Sequence, residues 1–225
     1  MRLVVLASGH GSNLRALVQA TREKNASMEV IGVVSDNADA PAIAFAQGEK
    51  IRTEIIALEA FAERTAWDRA LSDCVATFHA DLVVLAGFMR IVGASFLTAH
   101  AGKVINTHPS LLPAFPGKNA PQQALRQGVR ISGCTVHVVD AGVDTGPIIA
   151  QAAVPVLPSD TPESLHARIQ TAEHRLLAQV VTWIAQGHIQ LVPELRLGDL
   201  PLSASDSLCC PPISFPRSES HSEKG

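Results

Sequence analysis

An amide and an imidazole stand two residues apart in Asn106-Thr107-His108, and prolines at 109 and 113 restrict the backbone that follows. An extended chain alternates its faces, so residues 106 and 108 project to one side, and a following proline biases His108 itself toward extended geometry. A carboxylate is available downstream in Asp140-Ala141-Gly142-Val143-Asp144-Thr145-Gly146-Pro147. Amide, imidazole and carboxylate together suit acyl transfer, with Asn106 as oxyanion donor, His108 as proton carrier and Asp144 as the orienting anion. No serine or cysteine stands beside a base as an evident nucleophile, which favours direct transfer over a covalent acyl-enzyme.

A second cluster lies near the amino terminus. Ser8-Gly9-His10-Gly11-Ser12-Asn13-Leu14 follows a short apolar run and opens a helical pattern through Leu14, Leu17 and Val18. Free N–H groups at such a helix start favour a phosphate, and glycine lets the backbone come close. The spacing fits neither a dinucleotide fingerprint nor a nucleoside triphosphate loop, so a phosphomonoester is the better match for Gly11, Ser12 and Asn13.

The elements that must position these residues alternate between strand and helix. Apolar runs at 2–7, 29–34 and 81–86 read as strands buried on both faces. Trp67, Ala70, Leu71, Cys74, Val75 and Phe78 recur at helical spacing, which predicts an amphipathic helix over 61–78. A shorter helix is expected over 41–47, and a strand over 103–105 leads into the 106–113 segment. Beyond it, 119–127 reads as helix, and 132–139 and 148–156 as strands. Thr161-Pro162-Glu163 then opens a long helix with the stripe Leu165, Ile169, Ala172, Leu176, Val180 and Ile184, stopped at Gly187. This order predicts an α/β fold with a mostly parallel sheet and helices on both faces, the 106–113 segment lying at a strand's carboxyl end. The catalytic domain is expected over 1–199, and the Ser- and Pro-rich tail over 200–225 is expected to be disordered.

Composition narrows the class. A net charge of −3 over 225 residues gives no electrostatic reason to expect nucleic acid or an anionic membrane. The first apolar run is too short for a signal or spanning segment, so a cytoplasmic location is expected. The four cysteines and nine histidines show no metal-ligand spacing, and reduced thiols without a metal are expected.

Four ordered segments resemble the phosphoribosylglycinamide formyltransferase family: Gly11-Ser12-Asn13-Leu14, Val84-Leu85-Ala86-Gly87-Phe88-Met89-Arg90-Ile91, Ile105 through Pro113, and Gly142-Val143-Asp144-Thr145-Gly146-Pro147. The resemblance covers residues 1–195 and implies a Rossmann-like formyltransferase fold. The activity it implies is transfer of a formyl group from 10-formyltetrahydrofolate, a co-substrate, to the primary amine of glycinamide ribonucleotide, without a metal. The family's catalytic trio falls on Asn106, His108 and Asp144. By the same resemblance Gly11, Ser12 and Asn13 take the substrate phosphate, with Gln170 and Glu173 near its ribose. Arg64, Phe88, Met89, Arg90 and Ile91 take the folate, together with the loop that begins at Asp140. Read alone, Gln170 and Glu173 would be a solvated helix face, and Phe88, Met89 and Ile91 a strand-end core. Arg90 within an apolar run needs an anionic partner, and a folate carboxylate is one candidate.

One departure stands at Lys118-Asn119-Ala120-Pro121, where many relatives carry histidines at the positions of Asn119 and Pro121; it bears on local loop geometry and substrate affinity. A formyltetrahydrofolate hydrolase-like enzyme, with water as acceptor, and a catalytically silent folate- or phosphoribosyl-binding protein are the competing readings. Methionyl-tRNA formyltransferase shares the core but adds an RNA-binding domain that a short polar tail is not expected to supply.

Overall fold

Residues 2–6 feed two cores at once. Leu3 and Val5 join an apolar cluster with Leu14, Leu17, Ile43, Ile105, Leu176 and Val180, whereas Val4 and Leu6 join another with Trp67, Leu71, Val83 and Phe96. A strand covered on both faces needs apolar residues at every position, which is why this run does not alternate. The computed structural model describes residues 1–23, 26–192 and 194–198 and the backbone of 209–210. The strands are β1 (Arg2–Leu6), β2 (Glu29–Ser35), β3 (Arg52–Ile55), β4 (Leu82–Leu85), β5 (Val104–His108), β6 (Ile131–Val138), β7 (Ile148–Pro155), β8 (Ile189–Gln190), β9 (Arg196–Leu197) and β10 (Cys209–Cys210). The helices are α1 (Ser12–Ala20), α2 (Pro41–Gly48), α3 (Arg64–Ala76), α4 (Ala94–Ala99), α5 (Ala120–Gln127) and α6 (Pro162–Ala185).

The main sheet has the order β10-β7-β6-β5-β4-β1-β2-β3, and β8 pairs separately with β9. Strands β1 to β5 are mutually parallel, while β6 runs against both β5 and β7. The expected mostly parallel α/β architecture is therefore present. Helices α1, α2 and α6 pack on one face and α3 and α4 on the other. Because β2 and β4 flank β1 on opposite sides, the strand order reverses there, and the carboxyl ends of β1 and β4 lie at the position where open α/β sheets collect ligands.

The long helix starts as its sequence demands: the Thr161 hydroxyl accepts from the Ser164 amide at 3.2 Å, and the Ser164 hydroxyl accepts from the Thr161 amide at 2.9 Å. Its buried stripe differs in two places. Glu173, rather than Ala172, takes the fully buried position between Ile169 and Leu176, and Trp183, rather than Ile184, is buried near the carboxyl end. The helix expected over 61–78 runs from Arg64 to Ala76, preceded by a 3-10 turn over Leu58–Ala60. Strand β3 and helix α4 are absent from the sequence reading. β3 is a partly exposed edge strand and α4 has six residues, so neither shows a long periodic pattern. Most of the 200–225 tail lies outside the described residues; within it, Cys209–Cys210 pairs with Ala152 and Gln151 of β7. Among the described residues no helix is long and apolar enough to cross a membrane.

Candidate active site

The last residues of β5 carry the amide and the imidazole. Asn106 and His108 share a face, and across the antiparallel pairing they stand opposite His137 and Thr135 of β6. The Thr135 hydroxyl anchors the segment that follows: it accepts from the Leu112 amide at 3.0 Å and donates to the Ser110 carbonyl at 2.7 Å. Asp144 comes from the loop between β6 and β7, where it takes a left-handed backbone, φ 55°. Gly146 keeps that loop tight, since a Cβ there would lie 1.8 Å from the Val138 carbonyl oxygen. Asp140 folds the loop from within, its Oδ1 accepting from the Gly142 amide at 3.1 Å and the Thr145 hydroxyl at 2.7 Å.

These three segments converge. His108 Nδ1 lies 3.2 Å from Asp144 Oδ2, and the Asn106 amide nitrogen lies 3.4 Å from Asp144 Oδ1. His108 donates from Nε2 to the Phe115 carbonyl at 2.9 Å, so its Nδ1 meets the carboxylate favourably when the ring takes a second proton. Burial, the largest influence, pushes the His108 pKa below the ordinary 6.5, against the Phe115 carbonyl and Asp144, which raise it. For Asp144, burial opposes ionisation, but His137, the Gly117 amide at 2.8 Å and His108 outweigh it and hold the carboxyl below its ordinary value. The pair can thus hold an anion beside a ring that gains and loses a proton readily.

His137 completes the cluster; the sequence places it beside the Asp144 loop, where it could position that loop, but does not join it to the trio. Its Nδ1 donates to the Val138 carbonyl at 3.0 Å, which leaves Nε2 to accept from the Asn106 amide at 3.2 Å. Both Asn106 amide hydrogens are therefore directed, one at His137 and one at Asp144. The longer contact to Asp144 is the one an oxyanion could replace. A signal existed in the sequence: Thr135 and His137 are polar residues at strand period within an apolar run.

On the opposite face of β5, Thr107 donates to Glu173 Oε1 at 3.3 Å. Glu173 is 4 % exposed, and burial raises its pKa to about 7 despite hydrogen bonds from Thr107 and Asn13. Asn13 is itself buried, and its Oδ1 has no partner among the described residues. Glu173 is thus no solvated helix face. Gln170 is half-buried one turn earlier. Gly11 caps α1 at φ 72°, and a Cβ there would sit 2.7 Å from the Ala42 side chain, so packing already requires glycine at this position. The backbone amides of Ser12 and Asn13 open the helix beside it.

Of the remaining predicted residues, Phe88, Met89, Arg90 and Ile91 lie on the loop after β4, and Arg64 opens α3. Leu85 pairs with Asn106, so the loop leaves the sheet beside the strand that carries Asn106 and His108. Met89 is 68 % exposed and Ile91 63 %, which rules out the core reading for both. Phe88 stacks on Trp67 with ring planes 8° apart, and the Arg64 guanidinium lies 4.3 Å above the same indole while donating to the Ile91 carbonyl. Arg90 has found partners within the chain: its Nε donates to Asp36 Oδ2 at 2.6 Å and a terminal nitrogen to Glu59 at 3.2 Å. Among the described residues no group of three or more His, Cys, Asp or Glu is arranged to hold a metal ion.

The sequence profile of the formyl transferase family matches residues 1–181. The chain belongs to that family. It is 45 % identical over 192 residues to the phosphoribosylglycinamide formyltransferase of Mycobacterium tuberculosis, covering 85 % of this chain and 88 % of that protein. The crystal structure of glycinamide ribonucleotide transformylase 1 from Symbiobacterium toebii superposes with a TM-score of 0.85 at 44 % identity, covering 88 % of this chain and 94 % of that one. The chain is also 42 % identical over 190 residues to the bovine trifunctional purine biosynthetic protein adenosine-3, a match that covers 84 % of this chain and 19 % of that protein. In this formyltransferase β5, the loop of Asp144 and the loop after β4 thus meet at one end of a family fold.

Proposed function

We propose that this formyltransferase moves a formyl group from 10-formyltetrahydrofolate to the primary amine of glycinamide ribonucleotide. The observation that carries the reading is the meeting of Asn106, His108 and Asp144 from separate segments, with His108 Nδ1 3.2 Å from Asp144. In this reading the amine attacks the formyl carbon and gives a tetrahedral adduct with an anionic oxygen and a cationic nitrogen. Asn106 donates an N–H to the oxygen, releasing its contact with Asp144. The ammonium loses its proton toward Asp144, directly or through water, and His108 delivers a proton to the folate nitrogen as the carbon–nitrogen bond to it breaks. Gly11, Ser12 and Asn13 meet the phosphate of the ribonucleotide, and Gln170 and Glu173 meet its ribose. The exposed Met89 and Ile91, with Phe88, Arg64 and the Asp140 loop, face the folate, and Arg90 serves this wall from within the same loop.

The test is consumption of 10-formyltetrahydrofolate by purified protein with and without glycinamide ribonucleotide. Turnover that requires the ribonucleotide, and that chelator leaves intact, supports the proposal. Equal turnover without it indicates a hydrolase, and binding of both without turnover indicates a silent module.

A further inference from the structure

The loop after β4 puts large apolar side chains in water, and such a loop holds its shape only if its backbone is tied down elsewhere. The ties run to two buried carboxylates that the catalytic scheme does not use. Asp36, at the carboxyl end of β2 and 6 % exposed, receives the Arg90 guanidinium. Asp68, on α3 and 4 % exposed, accepts from the Gly93 amide and the Ser95 hydroxyl, and from the Phe96 amide at 3.2 Å. It thereby closes the first turn of α4, whose helix has no cap from its own Gly93. Gly93 leaves no slack, because a Cβ there would lie 2.7 Å from the Asp68 carboxylate. On the β4 side of Arg90, the Met89 amide donates to the Ser8 hydroxyl at 2.9 Å, and the Ser8 amide to the Gly87 carbonyl at 3.2 Å.

We propose that Asp36 and Asp68 are positioning residues that hold the middle and the carboxyl-terminal end of the 87–93 loop, and that Arg90 serves this site as a tether turned back onto Asp36 and Glu59, with its charge already matched inside the protein. The inference rests on the reading of this loop as the folate-facing wall. Neither carboxylate touches the reacting atoms. Their effect is to fix the spacing of Phe88, Met89 and Ile91 against Asn106, so losing either should weaken formyl-donor binding and spare the ribonucleotide side. Fixing a binding loop beforehand lowers the entropy cost of binding.

The experiment compares wild type with Asp36→Asn, Arg90→Met, the double variant, Asp68→Ala and Asp68→Asn. KM is measured for 10-formyltetrahydrofolate and for glycinamide ribonucleotide, together with amide hydrogen exchange at Met89, Gly93 and Phe96. Asp36→Asn and Arg90→Met should each raise KM for the donor about ten-fold, the effect of losing one charge-assisted hydrogen bond. The double variant should be no worse than either single one, since both cut the same tie. Asp68→Ala should raise donor KM and speed Gly93 and Phe96 exchange, and Asp68→Asn, which still caps the helix, should recover most of both. KM for the ribonucleotide should stay within about two-fold, because its side of the site is built from other segments. A lower donor KM in Asp36→Asn would show that Arg90, once freed, meets the ligand, and would overturn the tether. Equal rises in both KM values would reduce both residues to general stability. If wild type shows no ribonucleotide-dependent turnover, the functional reading fails, whereas unchanged exchange in every variant defeats the positioning role by itself.

Discussion

Glu173→Gln removes an ionisable group from between α6 and β5 while keeping the oxygen to which Thr107 donates. Burial raises the folded-state pKa of this carboxyl from 4.5 to about 7. The folded protein thus holds a proton that the unfolded chain has released. The stability this contributes is fully present below about pH 4.5, is lost as pH rises toward 7, and is absent above. At about 1.36 kcal/mol for each pH unit between those values, ionising Glu173 in place costs about 3 kcal/mol. Glutamine does not titrate, so the variant should be more stable than wild type by up to about 3 kcal/mol at pH 8, and nearly equal to it at pH 5. For a domain of this size that corresponds to a melting temperature about 6–12 °C higher at pH 8. Thermal unfolding of both proteins at pH 5, 6, 7 and 8 measures it. A difference that does not grow with pH would mean that Thr107 and Asn13 solvate the carboxylate fully, and the reasoning from burial would be wrong. The same variant should bind glycinamide ribonucleotide more weakly if Glu173 meets the ribose, a stability gained at the expense of function.

Three further outcomes are expected. Asp144→Asn keeps the shape of the side chain but removes the anion, so turnover should fall at least ~10²-fold with both substrates still bound; an NMR titration should find the His108 pKa lower than in wild type, and near-normal turnover or unchanged titration would leave Asp144 a turn residue. Gly11→Val forces a side chain against Ala42 at positive φ, so it should raise KM for the ribonucleotide and also lower the melting temperature by several degrees, the result of more than ~1 kcal/mol of strain; an unchanged donor KM separates the phosphate role from general unfolding. Truncation after Leu200 removes the two-residue pairing with β7 and should leave kcat and both KM values unchanged, whereas a melting temperature lower by more than a few degrees would show that the tail packs.

Much of the architecture was legible because burial on both faces leaves an unmistakable composition. β1 and β4 are continuous apolar runs for that reason, and the proline-bounded 106–113 segment marks the end of the next parallel strand. The trio could be read from residue type and parity, since strand period places Asn106 and His108 together whatever the tertiary detail. What stayed hidden depends on register between distant segments. His137 meets Asn106 only because β6 runs antiparallel to β5 with residue 137 opposite 106. Arg90 was rightly seen to need an anion, but its partners Asp36 and Glu59 lie 54 and 31 residues away in sequence. Glu173 sits four residues after Ile169 and three before Leu176, inside the apolar stripe of α6. That spacing fits burial, yet a shift of one residue to Ala172 satisfies the same periodicity, and an alanine suits an apolar stripe better than a carboxylate. β3, at the edge of the sheet, is half solvated and carries Arg52 and Glu54, so its pattern resembles a loop.

The most direct measurement follows the carbon itself. With 10-formyltetrahydrofolate labelled with ¹³C at the formyl group, the wild-type protein and glycinamide ribonucleotide should produce a ¹³C formamide resonance in step with loss of the donor signal, and Asp144→Asn should slow that conversion at least ~10²-fold. Appearance of ¹³C-formate at the same rate whether or not the ribonucleotide is present, or equal rates for wild type and Asp144→Asn, would contradict formyl transfer by this site.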